Sequence, residues 1–279
     1  MSTPSQPHDL PLPALMYGTA WKEERTAACV TMALQAGFRA IDTANQRKHY
    51  HERGVGEALA PFLASHSRGE LFLQSKFTYA RGQDHRLPYE PQAPPAAQVH
   101  QSFESSLEHL GVTYLDSLVL HGPEHREGLS DTDWQVWRAL EEIHAAGGAR
   151  HLGISNASEQ QLEALVAGAR VPPRFLQNRC YASRAWDAAA RRVCARHGVI
   201  YQGFSLLTAN REVWNSRPVA AIARRLSATP AMVIFRFARA LGMVPLTGTT
   251  DPAHMALDLA SPALELTEAD VALIEGLGR

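Results

Sequence analysis

Four side chains able to hold or pass a proton fall at matching places in the first half of the chain. A short apolar run, residues 38–42, ends on Asp42. The run LFLQSK, residues 71–76, ends on Lys76. The stretch LDSLVLHGP, residues 115–123, presents His121 just before a Gly-Pro turn. Tyr50 follows the first run, inside His49-Tyr50-His51-Glu52 and ahead of a helical pattern. A charged or imidazole side chain at the end of a buried strand is costly unless it faces a polar site. Three strand ends carrying an acid, an amine and an imidazole, with a phenol close by, therefore point to one shared site.

Strand and helix signals alternate from Ala14 onward. Strands are expected near 14–18, 38–42, 71–76, 115–121, 150–155, 174–178, 199–204 and 243–247. Helical patterns lie between them at 23–35, 55–64, 96–110, 133–146, 159–167, 185–197 and 218–241. Ser158 before Glu159-Gln160-Gln161 reads as a capping box, and Asp131 or Thr132 opens the next helix upstream. Gly37, Gly111, Gly147-Gly148, Gly198 and Gly242 stand where helices should stop. Short apolar strands alternating with helices give an α/β fold with a parallel sheet closed on itself, a (β/α)8 TIM barrel in a single domain. An open doubly wound sheet would normally place a GxGxxG turn after an early strand, and none occurs. Residues 1–13 read as a flexible arm and 14–279 as the barrel domain. In such barrels the site lies at the C-terminal strand ends, where Asp42, Lys76 and His121 all fall.

Composition removes several classes. A length of 279 residues with 45% hydrophobic content suits one large domain. A net charge of −1 without a basic run leaves no surface for nucleic acid. Cys29, Cys180 and Cys194 are odd in number and scattered, which fits reduced thiols and a cytoplasmic protein. Thirteen histidines invite a metal reading, but no CxxC pair accompanies them and the one HxxxH spacing, His121 to His125, runs across a Gly-Pro turn, so no metal is expected. The proline-rich start lacks a secretion signal. No apolar run approaches a membrane span. The expected partner is a small molecule, and the expected state a monomer or weak homo-oligomer.

The combination of IDTA, a tyrosine shortly before Glu and Val-Gly, SK closing the next strand, and LHGP after that resembles the aldo-keto reductases. The resemblance runs from about Met16 to the C-terminus. It implies NAD(P)H-dependent reduction of aldehydes or ketones to alcohols, with Asp42, Tyr50, Lys76 and His121 as the catalytic tetrad. Counting back from Val55-Gly56 without a gap puts His49 where most members have the tyrosine. Members with a KHY-x-E loop are more similar, and a phenol can protonate an alkoxide. The acid is thus assigned to Tyr50, with His49 beside it or on the substrate side. By the same resemblance a neighbouring Lys76 lowers the Tyr50 pKa, Asp42 keeps Lys76 charged, and His121 orients the carbonyl.

The resemblance further implies that Ser155, Asn156 and Gln177 hold the nicotinamide carboxamide and that Phe204 stacks on the ring. Ser155-Asn156 merely capping the next helix is the alternative. Gly18, Thr19, Ser205 and Leu206 complete that side. At the end of strand eight, Gly248 replaces a family lysine and His254 an arginine. Thr249, Thr250 and the amides opening the next helix remain for a phosphate, and Asp258 for the adenine. NADPH is the expected cofactor with NADH as the alternative, since two permanent cations are gone. Substrate contacts are assigned to Trp21, Tyr79, Tyr89 and Trp214, with Tyr79 and Tyr89 on a long third loop whose Arg81, His85 and Arg86 could attract an anion. The family's C-terminal tail is absent after Arg279, implying an open pocket. Two rivals stand beside the reductase: a nicotinamide-binding sensor or scaffold, and an aldolase using Lys76 as a Schiff-base amine, which Asp42 disfavours by keeping it charged.

Overall fold

The computed structural model describes residues 12–278, so the arm expected at 1–13 lies almost wholly outside the described residues. Eight parallel strands close in sequence order into a barrel. They are β1 Met16–Gly18, β2 Ala40–Asp42, β3 Phe72–Phe77, β4 Leu115–Leu120, β5 Ala149–Ser155, β6 Phe175–Arg179, β7 Ile200–Phe204 and β8 Val244–Thr247. The outer layer holds α1 Thr26–Ala36, α2 Glu52–Leu63, α3 Pro95–Leu110, α4 Asp131–Ala145, α5 Glu159–Gly168 and α6 Ala188–His197. It continues with α7 Arg211–Trp214, α8 Arg217–Arg225, α9 Pro230–Ala240, α10 Pro252–Ala260 and α11 Glu268–Gly276. Among the described residues no helix is long and apolar enough to cross a membrane.

Two expected helices are interrupted. The pattern 218–241 divides into α8 and α9, because Ser227 takes a left-handed φ of 51° and the Thr229 side chain caps a new helix with Pro230 in its first turn. The pattern 185–197 yields a regular helix only from Ala188. Ala185, Trp186 and Asp187 are left-handed, which turns the Trp186 ring into the core against Phe237 at 4.9 Å. Apolar periodicity does not register such breaks, since buried residues continue on both sides of them.

The barrel interior is layered by the two-residue period of the strands. Ala40, Phe72, Phe175 and Val244, with Met16, form an apolar floor. Two residues further along their strands stand Asp42, Gln74 and Gln177, and Gln202 completes the layer two residues after Ile200. Register aligns Asp42 with Gln74 and Gln177 with Gln202. Another step of two reaches Lys76 and Phe204. The apolar floor thus excludes water beneath a buried polar layer, and the reactive groups sit on top of it.

Candidate active site

Asp42 is 3% exposed and gathers three donors on one oxygen. Oδ1 accepts from Lys76 Nζ at 2.6 Å, Gln74 Nε2 at 2.7 Å and Gln177 Nε2 at 3.0 Å. Gln202 Oε1 accepts from the same two glutamine amides and returns Nε2 to Gln74 Oε1. Lys76 Nζ spends a second donor on the Thr43 carbonyl at 2.7 Å. Burial pushes the Lys76 ammonium down and Asp42 holds it up. The polar layer therefore anchors the ion pair from below. Gln74 and Gln202 had no assigned role in the sequence, although Gln74 precedes Lys76 by two and must share its face.

Tyr50 sits against this pair. Lys76 Nζ lies 5.2 Å from the Tyr50 ring centre, and the His121 ring meets Tyr50 edge-on at 5.8 Å. The Tyr50 pKa is not lowered as expected. Burial, and then the Asp42 charge, hold the phenol above its usual range. The Lys76 donors go to Asp42 and Thr43, so the phenol keeps its proton at neutral pH. His121 Nδ1 meets the Thr78 hydroxyl at 2.7 Å, which leaves Nε2 as its other hydrogen-bonding nitrogen. Burial, then the Lys76 charge, bring the His121 pKa down to about 3, so the ring is neutral at pH 7. The His49 ring lies tilted against Trp21, with ring centres 3.9 Å apart.

Glu52 supports the site from outside the barrel. Ser75 points away from Gln74 and Lys76 and donates its hydroxyl to Glu52 Oε1. The other Glu52 oxygen faces His109 Nδ1 at 3.4 Å. A Cβ on Gly56 would meet the His109 carbonyl oxygen at 2.0 Å, so only glycine lets α2 approach α3 here. The Val-Gly pair after the tyrosine thereby sets how deeply α2, and the loop before it, can sit.

A cleft of about 710 Å³ opens over these groups. Asp42, Tyr50, His121, Ser155, Asn156, Gln177 and Phe204 line one end, and Gly248, Thr249, His254 and Asp258 the other. Gly18, Trp21, Ser205, Leu206 and Trp214 line the stretch between them or its rim. Asn156, left-handed at φ 52°, donates Nδ2 to the His121 carbonyl at 2.8 Å and so ties the end of β5 to the end of β4. The Asp258 carboxyl accepts from the Thr247 hydroxyl, and burial raises its pKa to about 6.

Several expected site residues lie elsewhere. Thr19 is fully buried, donating its hydroxyl to the Asp42 carbonyl. Thr250 and His49 do not line the cleft. Tyr79 donates to Asp133 at 2.8 Å, and Tyr89 turns inward to the Thr78 carbonyl at 2.8 Å, so both build the third loop instead of facing the cleft. The same loop spends Arg81 on the Pro123 carbonyl and Arg86 on Asp84. Buried packing and internal pairing claimed these side chains, which composition alone does not reveal.

The model of the Aldo/keto reductase family matches residues 14–279. The chain belongs to this family. Among its relatives is an aldo-keto reductase of Mycolicibacterium vanbaalenii, 29% identical over 89% of this chain and 81% of that protein. The 2,5-diketo-D-gluconic acid reductase B of a Corynebacterium species is 28% identical over 92% and 85%. A solved aldo-keto reductase complexed with NADPH superimposes with a TM-score of 0.81, covering 96% of this chain and 85% of that one at 21% identity. That likeness concerns the fold.

Proposed function

We propose that this aldo-keto reductase reduces an aldehyde or ketone of a small molecule to the alcohol with NADPH, NADH being the alternative, and that Tyr50 delivers the proton. The carrying observation is the convergence of Tyr50, Lys76, Asp42 and His121 at one end of an elongated cleft. The residues present fit a dinucleotide. The Trp214 indole N–H is buried without a partner on the cleft wall. Lys22, also on that wall, has only a carbonyl as hydrogen-bond acceptor. Both are donors that a polyphosphate ligand would satisfy.

Ser155, Asn156, Gln177 and Phe204 would hold the nicotinamide, and Gly248, Thr249, His254 and Asp258 the adenosine. Bound there, the cofactor supplies the hydride. His121, neutral and buried, is placed to donate from Nε2 to the carbonyl oxygen once Thr78 donates its hydroxyl to Nδ1. That contact polarises the carbonyl and aims it. Tyr50, kept in its acid form, passes its proton to the same oxygen as negative charge builds there. The nearby Lys76 charge, held by Asp42, then stabilises the phenolate left behind. Trp21, 65% exposed at the cleft mouth, is the aromatic surface offered to a substrate.

Absorbance at 340 nm tests the reading with a panel of aryl and aliphatic carbonyls. Carbonyl-dependent oxidation of NADPH or NADH by wild type, lost in Tyr50→Phe, is the expected result. Cofactor binding without turnover on any carbonyl would point to a sensor and sink the reductase assignment.

A further inference from the structure

Between β6 and α6, three consecutive residues hold a backbone conformation costly for any side chain with a Cβ. Ala185, Trp186 and Asp187 have φ of 52°, 56° and 55°, in the left-handed region. Such a turn persists only where its surroundings fix it. Here the Trp186 ring is fully buried against Phe237. The Trp186 backbone N–H donates to the Tyr181 carbonyl at 3.0 Å, and the Trp186 carbonyl accepts from Arg191 Nε at 2.9 Å.

The turn delivers the Asp187 carboxylate to the outer face of the barrel wall. Its Oδ2 accepts from the Tyr201 hydroxyl on β7 at 2.8 Å and from Asn178 Nδ2 on β6 at 3.0 Å. Asn178 follows Gln177, so it points out of the barrel where Gln177 points in. Tyr201 is aligned with Leu176, two residues before Asn178 on the same outer face, and one carboxylate reaches both side chains. The Asn178 amide then closes on both backbone groups of Ala157. Oδ1 accepts the Ala157 N–H at 3.2 Å, and Nδ2 donates to the Ala157 carbonyl at 2.8 Å. Ala157 directly follows the left-handed Asn156, whose own backbone N–H donates to the Gln177 carbonyl at 3.0 Å. The bend at Asn156 is therefore clamped by the β6 backbone on one side and by the Asn178 amide on the other.

Resting on the reductase reading, we propose that Asp187 is a positioning residue for the nicotinamide end of the cleft, acting through Asn178 on Asn156. Asp187 does not itself line the cleft. An ionised carboxylate only accepts, so it forces Asn178 to turn its NH2 that way and fixes how the amide meets Ala157. Without the carboxylate the amide is free to flip, and the Asn156 side chain loses its set place beside Ser155 and the His121 carbonyl. The left-handed turn matters because it brings Asp187 within reach of Asn178.

Titration with NADPH and NADH, compared with titration by ADP with and without a 2′-phosphate, tests this. Asp187→Gly suits the left-handed turn and removes the carboxylate. It should weaken the dinucleotides by roughly fivefold, the scale of one net hydrogen bond, while the adenosine halves stay within about twofold. A role confined to folding would lower stability without separating the two halves. Asp187→Asn still accepts from Asn178 and Tyr201 and tolerates the turn, so it should stay within about twofold of wild type for every ligand. Unchanged dinucleotide affinity in Asp187→Gly, or equal losses for dinucleotide and adenosine half, overturns the proposal. Should that variant not fold, Asn178→Asp decides. Two facing carboxylates should give the same selective loss, and adding Asp187→Asn should recover part of it by setting an amide against a carboxylate again. Absence of a selective loss in Asn178→Asp overturns the proposal equally. If wild type binds neither dinucleotide, the reductase reading itself falls, whereas a wild type that turns over and an unaffected Asp187→Gly sink the Asp187 assignment alone.

Discussion

Replacing Asp42 by Asn probes the buried ion pair with little change in shape. The new amide oxygen can keep the place of Oδ1 and still accept from Lys76, Gln74 and Gln177, now at 2.6, 2.7 and 3.0 Å. What disappears is the charge, and Lys76 is left as a buried ammonium with a neutral partner. Removing one member of a buried pair typically costs about 3–5 kcal/mol. Lys76 has an escape, because it can give up its proton. From an ordinary lysine pKa near 10.4, deprotonation costs about 4.6 kcal/mol at pH 7 and about 1.9 at pH 9. Those figures cap the penalty at each pH. The folded variant then binds fewer protons at Lys76 than the unfolded chain does, so its stability rises with pH up to the unfolded value. Denaturant unfolding at pH 7, 8 and 9 should show Asp42→Asn losing about 3–4.6 kcal/mol at pH 7 and no more than about 1.9 kcal/mol at pH 9. Wild type, whose Lys76 is held up by Asp42, should change less over that range. A penalty below about 1 kcal/mol at pH 7, or one that is flat with pH, would refute the claim that Asp42 holds a charged Lys76.

Tyr50→Phe should nearly abolish reduction and leave cofactor affinity close to wild type, whereas His49→Gln should keep substantial activity; steady-state kinetics showing the reverse would move the acid to His49. Thr78→Val, which removes the hydroxyl facing His121 Nδ1, should lower kcat about tenfold with little change in cofactor affinity, the scale of one buried hydrogen bond, and Thr78→Ser should restore it. An equal loss in the serine variant would show that the methyl group matters and the hydroxyl does not. His121, held neutral down to about pH 3 in the fold and titrating near 6.5 when unfolded, makes the unfolded chain the better proton binder between those values, so it should cost stability as pH falls through 6.5. Unfolding curves at pH 7 and 4.5 should therefore show His121→Gln losing less stability than wild type on acidification, and equal losses would place His121 in a solvated setting.

The barrel was legible because its signals are local and repeated. Each apolar run ends on a polar residue or glycine, and each helix ends near a glycine or starts at a cap. All eight strands consequently fall within two residues of their expected starts, from β1 at Met16 to β8 at Val244. The polar ends of strands two, three and four were legible for the same reason. The third loop was not. Tyr79 and Tyr89 have the composition of a binding rim, yet one phenol is bonded to Asp133 and the other to Thr78, and neither faces the cleft. An aromatic in a loop carries no mark of which way it turns. That depends on partners more than ten residues away.

Position 248 shows the same limit in a sharper form. Reading along β8, the residues from Leu246 to His254 hold no lysine or arginine, and a strand-by-strand comparison ends in a site short of positive charge. The closed sheet changes that result, because β1 pairs with β8 and aligns Tyr17 with Thr247. The loop that leaves β1 therefore starts beside the end of β8, although 226 positions separate Lys22 from Gly248. A side chain long enough to cross one strand spacing can then deliver its charge to the neighbouring strand. Gly248 is part of the arrangement, since the absence of a side chain leaves that space open to the lysine. Cofactor preference in this chain is thus better judged from which cations reach the cleft than from which residue stands at a given place on β8.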